Sequence, residues 1–386
     1  MKKTVSKIIA VLMTCAMMIS VVAVGAFAAT RNNVKHYGTY VCIGDSVASG
    51  FGLPDYNKYG KKIVYEKRIK GSYADDLAKD VKAKTFYSLA YPGFTSSTLR
   101  YELQDGYQMS WWEADQIANF SGGAYTKKFL NDRKGYIRNA VRKADLITLD
   151  IGVNDTWFST IALVYAIAKY GKVEGSATRH SLDEELAEYG SWGTVFRNAM
   201  YYLAGFAENP ALWAKFWSAW VENLSGYLLQ YQQNYNAIVS SIYKLNPDVT
   251  IVSLASGNSF RALNLTPGKR SGSYKIQWMD RPAEVELPYV GTFVLPDSVH
   301  ISENPIANMT GVMYDFFYEP VRKIWEQKKP GQYFYADVSE YEMIVDHMSI
   351  PMYEFLTLDD SAYNSHPTLK GSRYMADKII EVLPSR

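Results

Sequence analysis

Residues 41–50 read VCIGDSVASG. A short apolar run, Tyr40–Ile43, ends abruptly on Gly44-Asp45-Ser46, and small residues follow. A run of this length, bounded by turn residues and without polar alternation, reads as a strand covered on both faces. A strand that stops on a serine is either a tight bend or a nucleophile held at the rim of a sheet. The rest of the chain has to decide between them.

Four further runs share the pattern: 85–90 (TFYSLA), 145–151 (DLITLDI), 249–254 (VTIVSL) and 332–338 (QYFYADV). Helical patterns lie between them. Residues 72–81 open on a serine cap, and 136–143 precede the third run. Residues 226–245 stop at Asn246-Pro247, and 368–383 carry apolar residues near helical spacing. Strands alternating with helices predict an α/β fold, a three-layer α/β/α sandwich with a parallel five-stranded sheet. Ligands of such sheets bind at the carboxyl ends of strands, which is where VCIGDS stops. Two tracts, about 156–225 and 257–331, exceed what a crossover needs and read as insertions in a single domain of residues 29–386.

Composition narrows the class. The 386 residues are 48% hydrophobic and 21% charged, which is globular. Residues 1–28 carry Lys2, Lys3 and Lys7, then an apolar run, then Ala26-Phe27-Ala28: a secretory signal peptide cleaved after Ala28. An uncleaved anchor helix is the rival reading, and Cys15, mid-run, lacks the small preceding residues of a lipoprotein. Cleavage removes three of 41 basic side chains and none of the 39 acidic ones, leaving a net charge of −1. No Lys/Arg cluster of the kind a nucleic-acid footprint needs is present. The expected location is therefore extracellular, with no stable membrane insertion after cleavage. Only Cys42 of two cysteines remains, so no internal disulfide forms and a large core has to hold the fold.

Strand ends carry the chemistry. Gly44-Asp45-Ser46 follows the first run, Tyr91-Pro92-Gly93 the second, Gly152-Val153-Asn154-Asp155 the third, and His366-Pro367-Thr368 opens the last helix. A serine hydroxyl needs a base within hydrogen-bond reach to become a nucleophile. The oxyanion it creates needs preorganised donors. Ser46 attacking, His366 taking its proton, and the N–H groups of Ser46 and Gly93 with the Asn154 amide as oxyanion hole satisfy both. The bland alternatives are a helix cap at Ser46, a Pro-Gly turn, an Asx-turn at Asn154 and a surface histidine. Asp45 reads as a brace for the turn, and Asp155 as a helix cap.

These four motifs, in this order, resemble the SGNH (GDSL-type) hydrolase family of esterases and lipases, whose namesake residues match Ser46, Gly93, Asn154 and His366. The resemblance covers most of the chain after residue 28. It implies a flavodoxin-like sheet, a secreted serine esterase acting on O-acyl esters of carbohydrate or lipid, and no cofactor. The family usually carries an aspartate three residues before the histidine, whereas here that position is Tyr363. Asp359 and Asp360 lie just upstream, and Asp360 ranks first as the acid that orients His366; a backbone carbonyl is the alternative. Asp297-Ser298-Val299-His300 has the missing spacing but no following helix, so His300 reads as a loop residue. His36, His180 and His347 share no metal-ligand spacing, and no metal is expected.

Residues 211–229 (ALWAKFWSAWVENLSGYLL) put Trp213, Trp217 and Trp220 on one helical face. This is either a helix packed against the body of the protein or a cap that supplies an apolar or sugar-stacking surface. Trp157, next to the candidate oxyanion hole, is the expected substrate-lining residue. Rival functions with the same scaffold are an acyltransferase using the same serine and a non-catalytic glycan- or surface-binding protein.

Overall fold

The computed structural model describes residues 35–59, 66–109, 125–171, 182–189, 195, 198–199, 202–203, 205–206, 209–255, 263–267, 274–278, 284–287, 291–294, 318–338 and 366–385. Residues 1–28, expected to be a signal peptide, and Asp359, Asp360, Tyr363, residues 297–300, His180 and His347 lie outside the described residues.

The strands are β1 (Thr39–Gly44), β2 (Thr85–Ala90), β3 (Leu146–Asp150), β4 (Thr250–Ala255), β5 (Leu263–Pro267), β6 (Tyr274–Trp278), β7 (Glu284–Leu287), β8 (Gly291–Val294) and β9 (Tyr333–Asp337). Five of them form one all-parallel sheet in the order β2-β1-β3-β4-β9, and β5-β6 and β7-β8 are separate antiparallel pairs. Each of the five apolar runs in the sequence is a strand of the large sheet. The chain leaves β1 for β2 on one side, then returns to β3 on the other. That reversal makes the carboxyl ends of β1 and β3 the switch point where such folds bind ligands.

The helices are α1 (Ser46–Ser49), α2 (Pro54–Asn57), α3 (Tyr73–Asp80), α4 (Ser96–Leu103), α5 (Lys127–Lys143), α6 (Val153–Tyr170), α7 (Leu182–Tyr189), α8 (Pro210–Leu245), α9 (Glu319–Lys328) and α10 (Leu369–Val382). Alternation along the strands sends side chains to two buried layers. Val41, Ile43, Ile147, Leu149 and Ile251 meet residues of α4, α5, α6, α8 and α9. Tyr40, Cys42, Val252 and Leu254 meet Leu77 and Ala78 of α3 and Met375, Ile379 and Ile380 of α10. Helices cover both faces, so the strands show no polar alternation. Burying one such aliphatic side chain stabilises the fold by about 1.5–3 kcal/mol.

Caps set the helix starts. Ser72 accepts from the Asp75 N–H at α3, and Thr368 from the Gly371 N–H at α10. Arg373 of α10 reaches Asp377 on its own helix, at 2.6 Å, and Asp80 on α3, joining the two helices of that layer. The longest helix departs from the sequence expectation. The spacing predicts a start at Gly226, but α8 begins at Pro210, with Asn209 capping the Ala211 and Leu212 N–H groups. A mid-helix glycine costs only about 1 kcal/mol, and packing along both halves of α8 outweighs it.

Candidate active site at the strand ends

Gly44 pairs with Ala90 of β2 on one side and Asp150 of β3 on the other, so the loops beyond these three residues share one rim. The ladders run one step further: Tyr91 N–H donates to Gly44 O at 3.0 Å, and Asp45 N–H to Asp150 O at 3.2 Å. A Cβ on Gly44 would lie 2.3 Å from the Asp150 carbonyl oxygen and 2.7 Å from the Ala48 Cβ. Only glycine lets β1 turn so closely past β3.

Ser46 is the first residue of α1 and is half-buried. Its carbonyl accepts from Ser49 Oγ at 2.9 Å and from Phe51 N–H at 3.0 Å, which closes the turn beneath it. Asp45, fully buried, braces that turn by accepting from Val47 N–H at 3.1 Å. Burial, and then the nearby Asp150 carboxylate, push the Asp45 pKa well up.

Asn154, in the first turn of α6, joins the three loops. Its Nδ2 donates to Phe94 O at 2.9 Å and reaches Asp45 Oδ2 at 3.5 Å. Gly93, next to Phe94, is buried with φ +83°, a conformation that favours glycine. Asp155 ties the second loop to the third from below, accepting from Ser96 N–H at 2.8 Å and from Ser96 Oγ. It therefore serves the start of α4, not of its own helix. Tyr91 fixes the rest of the second loop: its ring packs on Phe94 at 4.6 Å, and its hydroxyl takes the Arg133 Nε–H at 2.8 Å.

His366 stands two residues before the Thr368 cap of α10 and meets the Ser46 turn through Phe51. The two rings lie 4.9 Å apart, tilted by 51°. Desolvation of the half-buried imidazole lowers its pKa to about 4. Among the described residues, no hydrogen bond joins His366 to the Ser46 hydroxyl; such bonds often tighten only when substrate binds. Asn154 thus touches Asp45 and Phe94, the neighbours of Ser46 and Gly93, and the Phe51 ring links His366 to the segment that follows Ser46. No group of His, Cys, Asp or Glu side chains among the described residues is arranged to hold a metal.

The tryptophan face of α8 lies along α6. Trp220 Nε1–H donates to Thr160 Oγ1 at 3.0 Å, Trp217 stacks on Trp220 at 5.2 Å, and Trp213 follows at 5.9 Å. Lys215 reaches the Gly171 carbonyl, so the two helices run antiparallel. The ladder begins six residues along α6 from Asn154, roughly 9 Å by helical rise, and leads away from it. What the described residues record of this tract is packing. Trp157 is the fifth residue of α6, at the start of its second turn, and its side chain is outside the described residues. Three contributors escaped the sequence reading: Phe51, the Asp155–Ser96 tie, and a Tyr231–Tyr318–Arg322 group behind the Asn154 turn. The helical spacing of Tyr318 and Arg322 was the only available signal.

No protein-family model and no curated protein matches the chain. Solved structures similar to it include a possible lipase from Chitinophaga pinensis, with TM-score 0.33, 12% identity, and 89% of this chain against 96% of that one. Also similar are an extracellular lipase from Streptomyces rimosus, with TM-score 0.39, 14% identity and 88% against 97%, and phospholipase A1 from Streptomyces albidoflavus, with TM-score 0.39, 13% identity and 88% against 98%.

Proposed function

We propose that the protein is an exported serine esterase that hydrolyses O-acyl esters carried on a carbohydrate or a lipid. The observation that carries this reading is the Asn154 amide bridging the Ser46 and Gly93 loops at the switch point of the sheet. Ser46 Oγ attacks the acyl carbon while His366 takes its proton. The tetrahedral oxyanion is met by the N–H groups of Ser46 and Gly93 and by Asn154 Nδ2, which gives up its long 3.5 Å contact with Asp45 to donate there; a single donor is worth roughly a hundredfold or more in rate. Collapse expels the alcohol, which receives the proton from His366, and leaves the acyl group on Ser46. Water, deprotonated by His366, then releases the acid and restores the serine. Asp360 is the residue proposed to orient the imidazole, and its carboxylate would raise the low basicity that burial alone gives His366. Trp157 is proposed to line the acyl or alcohol side of the cleft.

The test is hydrolysis of p-nitrophenyl acetate by the wild type and by Ser46→Ala, with and without a competing alcohol. Turnover by the wild type and its loss in the variant are expected, with acid and not a new ester as the main product. An inert wild type would favour a binding protein on this scaffold, and transfer to the alcohol would make it an acyltransferase.

A further inference from the structure

The turn that carries Asn154 is gripped from behind. Ile151 O, at the end of β3, accepts from Arg322 Nη2 at 3.0 Å and from the Tyr231 hydroxyl at 3.3 Å. Gly152 O, the next carbonyl, takes the Tyr318 hydroxyl at 2.8 Å, and that hydroxyl also meets Thr156 Oγ1 at 2.9 Å. Arg322 is itself fixed, donating to Tyr318 O at 2.8 Å and to Ser253 Oγ of β4 at 2.9 Å. All five side chains are buried, and the Tyr231 and Tyr318 rings meet edge to face at 4.5 Å.

Gly152 fits between those two rings. It has φ +134°, and a Cβ there would lie 2.6 Å from Tyr231 Cε2 and 2.7 Å from Tyr318 Cε1. The phenols thus choose both the residue and its backbone conformation. Two carbonyl dipoles that could otherwise face a developing oxyanion are held turned into the core. Asn154 follows two residues later and inherits this orientation.

We propose that Tyr318 is a positioning residue for Asn154, fixing the oxyanion-side amide through the Gly152 carbonyl. The proposal rests on the esterase reading above. It assigns a role in the reaction to Tyr318, the N-cap residue of α9. Tyr318→Phe is the informative variant, because the ring that packs on Gly152 remains and only the hydroxyl goes. A misplacement approaching 1 Å can cost up to a hundredfold, so a fall in kcat of about tenfold is expected, with KM within about twofold.

The specificity of the effect is read from a double-mutant cycle with Asn154→Ala on p-nitrophenyl acetate. With Asn154 absent, Tyr318→Phe should change kcat by less than about twofold, because there is no donor left to misplace. An unchanged kcat for Tyr318→Phe overturns the proposal. So does an equal loss in both backgrounds, which marks a general structural effect, or full activity in Asn154→Ala. In the first two cases an inactive Ser46→Ala leaves the esterase reading standing; in the third it leaves Ser46 as the nucleophile but removes Asn154 from the oxyanion hole. If the wild type and Ser46→Ala have the same rate, the esterase reading falls and this proposal falls with it.

Discussion

His366 holds a tension between burial and basicity. Desolvation against the Phe51 ring and the start of α10 lowers its pKa to about 4, from an ordinary value of 6.5. A depressed pKa keeps the imidazole neutral, hence able to accept the Ser46 proton, down to much lower pH. In Asp360→Asn, where burial alone sets the basicity, the acid limb of kcat/KM should therefore have its midpoint near pH 4, and with the Asp360 carboxylate present it should lie higher. A midpoint at 6.5 or above in Asp360→Asn, measured over the range where circular dichroism is unchanged, would contradict the burial. The same shift has a folding sign: as pH falls from 6.5 towards 4, keeping this imidazole neutral weighs against the native state. Gly44 and Gly93 belong to this scale too. Both were legible as Gly at a strand end, because close approach and positive φ leave few other residue types.

Among the elements, α4 carries a stability cost that has no counterpart in the proposed chemistry. It packs against α5 and α8, and Glu102, near its end, is fully buried with neither carboxyl oxygen hydrogen-bonded among the described residues. Burial pushes its pKa well above the carboxylate range, only partly opposed by Lys134. A carboxyl whose pKa rises on folding weighs nothing below its unfolded value near 4.3, and progressively more as pH climbs above that. Glu102→Gln should raise Tm by a few degrees at pH 8, with the gain vanishing towards pH 4, in paired thermal melts. A gain independent of pH would show that charge is not the cause.

The five strands of the large sheet were readable because helices cover both faces and leave uninterrupted apolar runs, whereas β5–β8, within the 257–331 tract, were not. Helix extents were not. The first turns of α5, Lys127 to Gly135, are mostly polar, and Gly226 hides the continuity of α8. Nor could spacing announce that Arg322 is buried, since Tyr and Arg four residues apart suit an exposed helix face equally well.

At the scale of the molecule, one sheet edge gathers residues from across most of the chain. Ser46, Gly93 and Asn154 come from three successive strand ends. His366 comes from the start of the last helix, which packs on the opposite layer from α6. The order of motifs made the first three legible, because each followed a strand and parallel strands put all such ends on one side. The supporting shell was not legible, since Phe51, Asp155 and Tyr318 act through packing and carbonyls that no motif records. Among the described residues no helix is long and apolar enough to cross a membrane.

The most direct measurement of Ser46 and His366 acting at one point is the intact mass of the protein after treatment with a p-nitrophenyl alkylphosphonate. This ester traps an activated serine by losing nitrophenolate. The expected result is a single phosphonyl adduct on Ser46, absent in Ser46→Ala and formed at least about a hundredfold more slowly in His366→Ala. No adduct at Ser46, or labelling at the same rate without the imidazole, would contradict it.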